Sequence, residues 1–265
     1  MLQVKDVGDF VGAGRGGEVA AIRSECGAHS CFDTFDVLGW DGAAFVSLMG
    51  HRLQMPSPTY SFVNLDADPA VEIEAVSGAI GSIGAGPPRT VTQVWDWNGA
   101  QYVQTRESFS PPEYRIHLVH DADDALSRGD LVGAVEMYRR VIDDNALRDW
   151  LLEMGVPKAD DRSALSAYAW YRIMIADVRL GDGASAQSAF DRLSAEVSAG
   201  TPGDAYRDLA QVFWARYQAS GSLGAACLAA NAHANDDTGA IDGLNAFGYA
   251  NRQYVAADMC PFVGP

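Results

Sequence analysis

From Tyr114 to Asn235 apolar residues return every three or four positions, and three glycine-polar pairs interrupt them: Gly129-Asp130, Gly181-Asp182 and Gly221-Ser222. Leu118, Val119, Ala122, Ala125 and Leu126 precede the first pair, and Leu131, Ala134, Val135, Tyr138, Val141 and Ile142 follow it. Leu165, Ala169, Ile173, Ala176 and Leu180 lead to the second, and Tyr206, Leu209, Ala210, Phe213 and Tyr217 to the third. That period marks one buried face of a helix. Glycine closes a helix in the left-handed conformation without steric cost, and Asp or Ser directly after it caps the next one. Such tight corners predict three antiparallel helix hairpins, which must stack because one pair cannot bury its whole apolar face.

The first 109 residues alternate instead. Glu18–Arg23 and Phe32–Gly39 read as strands, Trp40-Asp41-Gly42 as a hairpin turn, and Phe45–Met49 as the returning strand. The series then recurs, 54 to 57 residues later: Glu72–Val76 matches Glu18–Ile22, Thr90–Trp95 matches Asp33–Leu38, Trp97-Asn98-Gly99 matches Trp40-Asp41-Gly42, and Tyr102-Val103 matches Phe45-Val46. Pro111-Pro112 can continue neither a ladder nor a helix. The predicted organisation is an α+β protein with a duplicated antiparallel β domain at 1–112, helical repeats at 113–235 and a capping tail at 236–265 that holds a short helix near Ala240–Phe247.

Composition narrows the function. The formal net charge is −16, with 35 acidic and 19 basic residues. Nucleic-acid binding needs clustered Lys and Arg, so nucleic acid is excluded as a partner, and attraction to an anionic membrane surface is disfavoured for the same reason. No apolar run reaches the ~20 residues of a transmembrane helix. The four cysteines are placed suggestively: Cys26 and Cys31 flank a four-residue loop, and a Cys227–Cys260 bond would latch the tail to the last repeat helix. Two disulfides imply an oxidising compartment. Met1-Leu2-Gln3-Val4 already reads as strand, so the expectation is an extracellular or cell-surface protein whose leader is absent from this sequence, the alternative being a cytosolic one.

The helical stretch resembles the tetratricopeptide repeat family. Five residues past each corner glycine stand Ala134, Ala186 and Ala226, nine past it Tyr138, Phe190 and Ala230, and eleven before it Leu118, Trp170 and Ala210. Ala230 departs from the family's aromatic, the proline between repeats is missing, and Asn145–Arg162, with the stop Gly155-Val156-Pro157, lengthens the first interval. An irregular helical domain is the competing reading. The resemblance implies a solenoid that binds protein. The duplicated β unit resembles an FG-GAP or VCBS-type propeller blade, whose acidic loop holds Ca²⁺; Asn64, Asp66, Asp68 and Glu72 keep the oxygen-bearing positions, with Ala67 and Pro69 in place of glycines. The first copy keeps Gly12, Gly14 and Glu18 but carries Val11 and Ala13 where carboxylates would stand, so it is expected to bind nothing. A solvated acidic turn is the plainer account of the second copy. Cys26–Cys31, Tyr114–His117 and Phe247–Asn251 together resemble uncharacterised secreted proteins or lipoproteins of filamentous environmental bacteria, which supply no activity.

Candidate chemistry is sparse. Cys26, His29, Cys31 and His51 have the atoms of a zinc site without the spacing of a common zinc module. Gly12-x-Gly14-x-Gly16-Gly17 precedes a strand, the wrong context for a dinucleotide. No nucleophile elbow or metalloprotease helix is present. Trp170, Tyr171, Trp214 and Tyr217 are the candidates for a partner-binding groove, against a core role that aromatics at helical spacing usually take. The expectation is therefore a noncatalytic extracellular scaffold that binds protein. The alternative is a subunit that assembles with itself as a homo-oligomer or polymer, because a sheet of two blades cannot close and leaves surfaces that a copy can extend.

Overall fold

A computed structural model describes residues 2–14, 17–27, 29–156 and 159–263. Gly16 of the glycine-rich run, Ala28 of the Cys26–Cys31 loop and Pro157 of the stop lie outside the described residues, with Met1, Arg15, Lys158, Gly264 and Pro265. The chain is α+β and divides into two compact units: Met1–Ile83 with Pro88–Pro111, and Gly84–Pro87 with Pro112–Pro265.

The first unit holds two antiparallel sheets. One contains β1 (Leu2–Gly8), β2 (Glu18–Cys26), β3 (Cys31–Trp40) and β4 (Phe45–Ser47) in that order, with β5 (Leu53–Pro56) also paired to β3. The other runs in order β6 (Thr59–Val63), β7 (Glu72–Val76), β8 (Val91–Trp97) and β9 (Tyr102–Phe109). The periodicity did not announce β5 and β6. They are short, and β5 ends on a proline, so pairing with β3 and β7 decides them. Alternation places Ala20, Ile22, Phe35 and Val37 on one face of the first sheet and Ile73, Ala75, Trp95 and Tyr102 on one face of the second. These faces share one core with Phe10, Leu53 and Met55.

The second unit contains nine α-helices among the described residues. Three hairpins form where the corners fall: α1 (Arg115–Ser127) with α2 (Leu131–Asp143), α4 (Asp161–Leu180) with α5 (Gly183–Glu196), and α6 (Asp204–Ser220) with α7 (Leu223–Asp236). Gly129, Gly181 and Gly221 have φ of 84°, 79° and 63°, the left-handed region a side chain would strain. Asp130, Asp182 and Ser222 then accept the N–H of Gly133, Ser185 and Ala225 at 3.0, 3.0 and 3.3 Å. α4 packs on both α1 and α2, and α6 on both α4 and α5. The long first interval contains the single turn α3 (Trp150–Glu153).

The tail carries α8 (Gly239–Asn245) and α9 (Ala256–Met259), which pack on α6 and α7. The turn after α8 grips residues 84–87: the N–H groups of Tyr249 and Ala250 donate to the carbonyls of Gly84 and Ala85 at 3.0 and 3.1 Å. Backbones approach so closely that a Cβ on Gly86 would stand 1.7 Å from the Phe247 carbonyl oxygen. His117 Nε2 lies 3.3 Å from the Pro87 carbonyl, so the Tyr114–His117 and Phe247–Asn251 motifs meet on one short segment.

Candidate functional site

All four cysteines are paired, Cys26 with Cys31 and Cys227 with Cys260. The first bond closes the end of the β2–β3 hairpin, where the two residues are already register partners. It consumes both thiolates that a zinc site would need, and His51 instead packs its ring on Trp95 at 4.4 Å. Cys26, His29, Cys31 and His51 therefore do not form a zinc site. The second bond joins α7 to the tail, where Asn231 also brackets Cys260: its Nδ2 donates to the Cys260 carbonyl and its Oδ1 accepts the Cys260 N–H.

The densest polar constellation was not foreseen from sequence. Asp123 of α1 is fully buried, and its carboxylate accepts from the hydroxyls of Tyr138, Tyr168 and Tyr254, the last at 2.7 Å. Arg172 of α4, also buried, pairs with it at 3.0 Å. The Arg172 Nη1 donates onward to the carbonyls of Asp258 and Met259 at 2.8 and 2.9 Å. Burial pushes the pKa of all three tyrosines well up, so they stay neutral donors. One carboxylate thus meets three hydroxyls and a guanidinium, and that guanidinium binds the tail. Every group faces another protein group, which makes this a structural knot rather than a place for a substrate. The only sequence signal was an Asp and an Arg interrupting otherwise apolar faces. A second buried arginine, Arg115, bonds Asp149 at 2.8 Å and donates to carbonyls at the end of α2, among them Val141.

The aromatic candidates separate. Tyr171 is fully buried and Trp214 is 8% exposed, both within the helical core. Trp170 and Tyr217 keep part of their surface; Trp170 donates from Nε1 to Glu196 at 3.2 Å, and Tyr217 packs on Phe213 and Trp214. A shallow open depression along α5 is lined by exposed side chains, including Gln187, Ser188, Asp191 and Arg192. No buried acid–base pair faces it.

The acidic loop between β6 and β7 is a built turn. Asn64 accepts the N–H of Ala67, Asp68 that of Ala70, and Glu72 reaches back to the N–H of Leu65 at 2.8 Å. Ala67 has φ of 67°, keeping the left-handed kink where the first copy has Gly12, also at 67°. The first copy repeats the brace as well, with Glu18 accepting the Phe10 N–H at 3.0 Å. Asp66 and Glu72 are joined by Asp96 of β8, their oxygens within 4.8 Å of one another, while Asp68 and Asn64 serve the turn. Asp96 was missed because its strand lies some 25 residues away in sequence. Its Oδ1 is buried without a hydrogen-bond partner. An all-oxygen set of three carboxylates suits a hard cation, and Asp66, Glu72 and Asp96 are the side chains that would hold one.

Comparison with profiles of known protein families, with curated proteins and with solved structures returns no match. Among the described residues no helix is long and apolar enough to cross a membrane.

Proposed function

We propose that this chain is a noncatalytic, exported scaffold that binds protein through its helix hairpins. The carrying observation is their successive packing, α1 and α2 against α4, then α4 and α5 against α6. Ala134, Ala186 and Ala226, the small residues of the tetratricopeptide resemblance, are all fully buried where helices approach. The two disulfides support an oxidising location outside the cell. The partner surface in this reading centres on the part-exposed Trp170 and Tyr217. Calcium at Asp66, Glu72 and Asp96 is an accessory that stiffens the β6–β7 loop.

The test is affinity capture of secreted proteins by the immobilised full chain, with a Trp170→Ala/Tyr217→Ala variant alongside. A discrete protein retained by the wild type and lost from a folded variant is the expected result. Retention by both would remove this surface, and retention of nothing would remove the scaffold. A second reading, a subunit that assembles with itself, is favoured by large apolar side chains standing exposed on the first sheet.

A further inference from the structure

The two disulfides stand in opposite surroundings. Cys227 and Cys260 are fully buried. Asn231 clamps the Cys260 backbone through both its N–H and its carbonyl, and Arg172 holds the carbonyls of the two residues before it. A reductant reaches that bond only after the tail has left α7. Cys26, by contrast, is exposed and Cys31 half-buried, at the open end of the β2–β3 hairpin. Their bond spans 5 residues against 33 for the other. A loop this short constrains the unfolded chain little, and the hairpin stays folded without it. The ladder that runs from Val19–Leu38 to Cys26–Cys31 keeps the two cysteines opposite one another.

The hairpin tip also fastens its neighbours. The Gly27 N–H donates to the Ser30 carbonyl at 2.9 Å, and Ser30 Oγ accepts the Gly81 N–H at 2.8 Å. That approach is close: a Cβ on Gly81 would stand 2.5 Å from the His29 carbonyl oxygen. On the other strand the Cys31 carbonyl accepts the N–H and the hydroxyl of Ser57 at 2.9 and 3.3 Å. Ser57 has φ of 37°, a left-handed conformation that costs a serine energy and persists only while its surroundings hold it. The β5–β6 turn and the β7–β8 loop are thus both tied to the residues that the disulfide joins.

We propose that Cys26–Cys31 is a thiol-exchange site, opened reversibly by small-molecule thiols, and that its state sets how firmly the β5–β6 turn and the β7–β8 loop are held. The exposed Cys26 Sγ is the sulfur attacked. An incoming thiolate bonds to it, the bond to Cys31 breaks, and its electron pair leaves on Cys31 Sγ, which takes up a proton. A second thiolate attacks the mixed disulfide at the reductant's sulfur and releases Cys26, which is protonated in turn. Two thiols are thereby oxidised to one disulfide, and the cysteine pair is reduced by two electrons. Because the ladder keeps Cys26 opposite Cys31, a small-molecule disulfide drives the same steps backwards. The Cys227–Cys260 bond takes no part while the fold is intact.

The experiment is incubation of the full native chain with reduced glutathione, followed by alkylation of free thiols and mass spectrometry of the peptides. Cys26 and Cys31 are expected to be labelled at least about a hundredfold faster than Cys227 and Cys260. In the selectively reduced chain the Gly81 and Ser57 amides should exchange hydrogen at least about fivefold faster, with the Val71 amide, bonded to the Phe10 carbonyl, unchanged. Oxidised glutathione should restore both the bond and the protection. Cys26→Ser with Cys31→Ser should show the faster exchange without any thiol and with near-ultraviolet circular dichroism unchanged; the reduced wild type carries the same test independently of that variant. Labelling of all four cysteines at one rate, or of Cys227 and Cys260 first, overturns the exchange site. Selective reduction that leaves Gly81 and Ser57 as protected as before overturns its hold on the two loops.

Discussion

The helical unit and the sheet unit differ in what they bury at the centre of their apolar cores. The helical unit buries charge: Asp123 and Arg172 sit at its centre, each answered by hydroxyls, backbone or the other. The sheet unit buries an apolar core capped by Tyr102, whose hydroxyl lies 2.8 and 3.0 Å from the carbonyls of Phe10 and Val71. An ionic knot leaves no unmatched donor to extend, whereas the stacked sheets leave an apolar face open. Buried charge is costly unless fully paired, so it defines one arrangement and tolerates no loss of a member. Apolar packing is non-directional and can be continued by any complementary face.

The largest break in this contrast should come from Asp123→Ala, which leaves a buried guanidinium and three hydroxyls unanswered. Urea denaturation is expected to show a loss of about 3–5 kcal/mol. Replacing the pair together, Asp123→Leu with Arg172→Met, should recover most of it, because no orphan charge remains. If the single variant loses under about 1 kcal/mol, the pair behaves as a surface salt bridge and the knot is not what organises the unit.

Next in size are the disulfides. The Cys227–Cys260 bond spans 33 residues and the Cys26–Cys31 bond only 5. Constraint of the unfolded chain grows with loop length, so removing the longer bond by paired Cys→Ala changes should cost about 3–4 kcal/mol and the shorter about 2 kcal/mol. Separate calorimetric melts of the two double variants would show whether each loss falls on its own unit.

Asp177 of α4 supplies a pH test within the helical unit. It is 5% exposed, and burial, then the nearby Asp182, push its pKa up from 3.8 to about 6. The folded state therefore holds this proton more tightly than the unfolded chain. Stability is gained as pH falls from about 6 toward 3.8 and is absent above that window. Asp177→Asn removes the penalty, so the variant should exceed wild type by about 1–3 kcal/mol at neutral pH, with the gap closing in acid. A gap that does not change with pH would exclude Asp177 as its source.

The smallest effect belongs to calcium. Added Ca²⁺ should raise the sheet unit's melting temperature by a few degrees, as expected of a ligand that binds only the folded form. Chelation with EDTA should reverse the gain and Asp96→Asn should abolish it, while the melting of the helical unit stays unchanged. A Ca²⁺ response that survives Asp96→Asn would move the site elsewhere.

Much of the fold was legible in the sequence. The corner glycines, their Asp and Ser caps and the apolar period marked the hairpins, because caps and periodicity are set within a few residues. The duplicated strands were legible for the same reason, and the cysteine placement marked both disulfides. The knot was not, because Asp123, Arg172 and Tyr254 are scattered along the chain and each alone reads as an ordinary polar position. Trp170, Tyr171, Trp214 and Tyr217 shared one signature in sequence, yet Tyr171 is core and Trp170 is part-exposed. Helical spacing says which residues share a stripe, not which neighbour will cover it.

What the sequence alone determined is local: where helices begin and end, which strands repeat, which cysteines lie in reach of one another. What the tertiary structure decided is which face each element turns inward. Val7, Trp40 and Phe45 carry the same pattern as Phe62, Trp97 and Tyr102, yet Tyr102 is core with Phe62 and Trp97 packed against it, while the first set stands exposed. Alternation makes two faces but cannot rank them, because burial is a property of the pair of surfaces that meet.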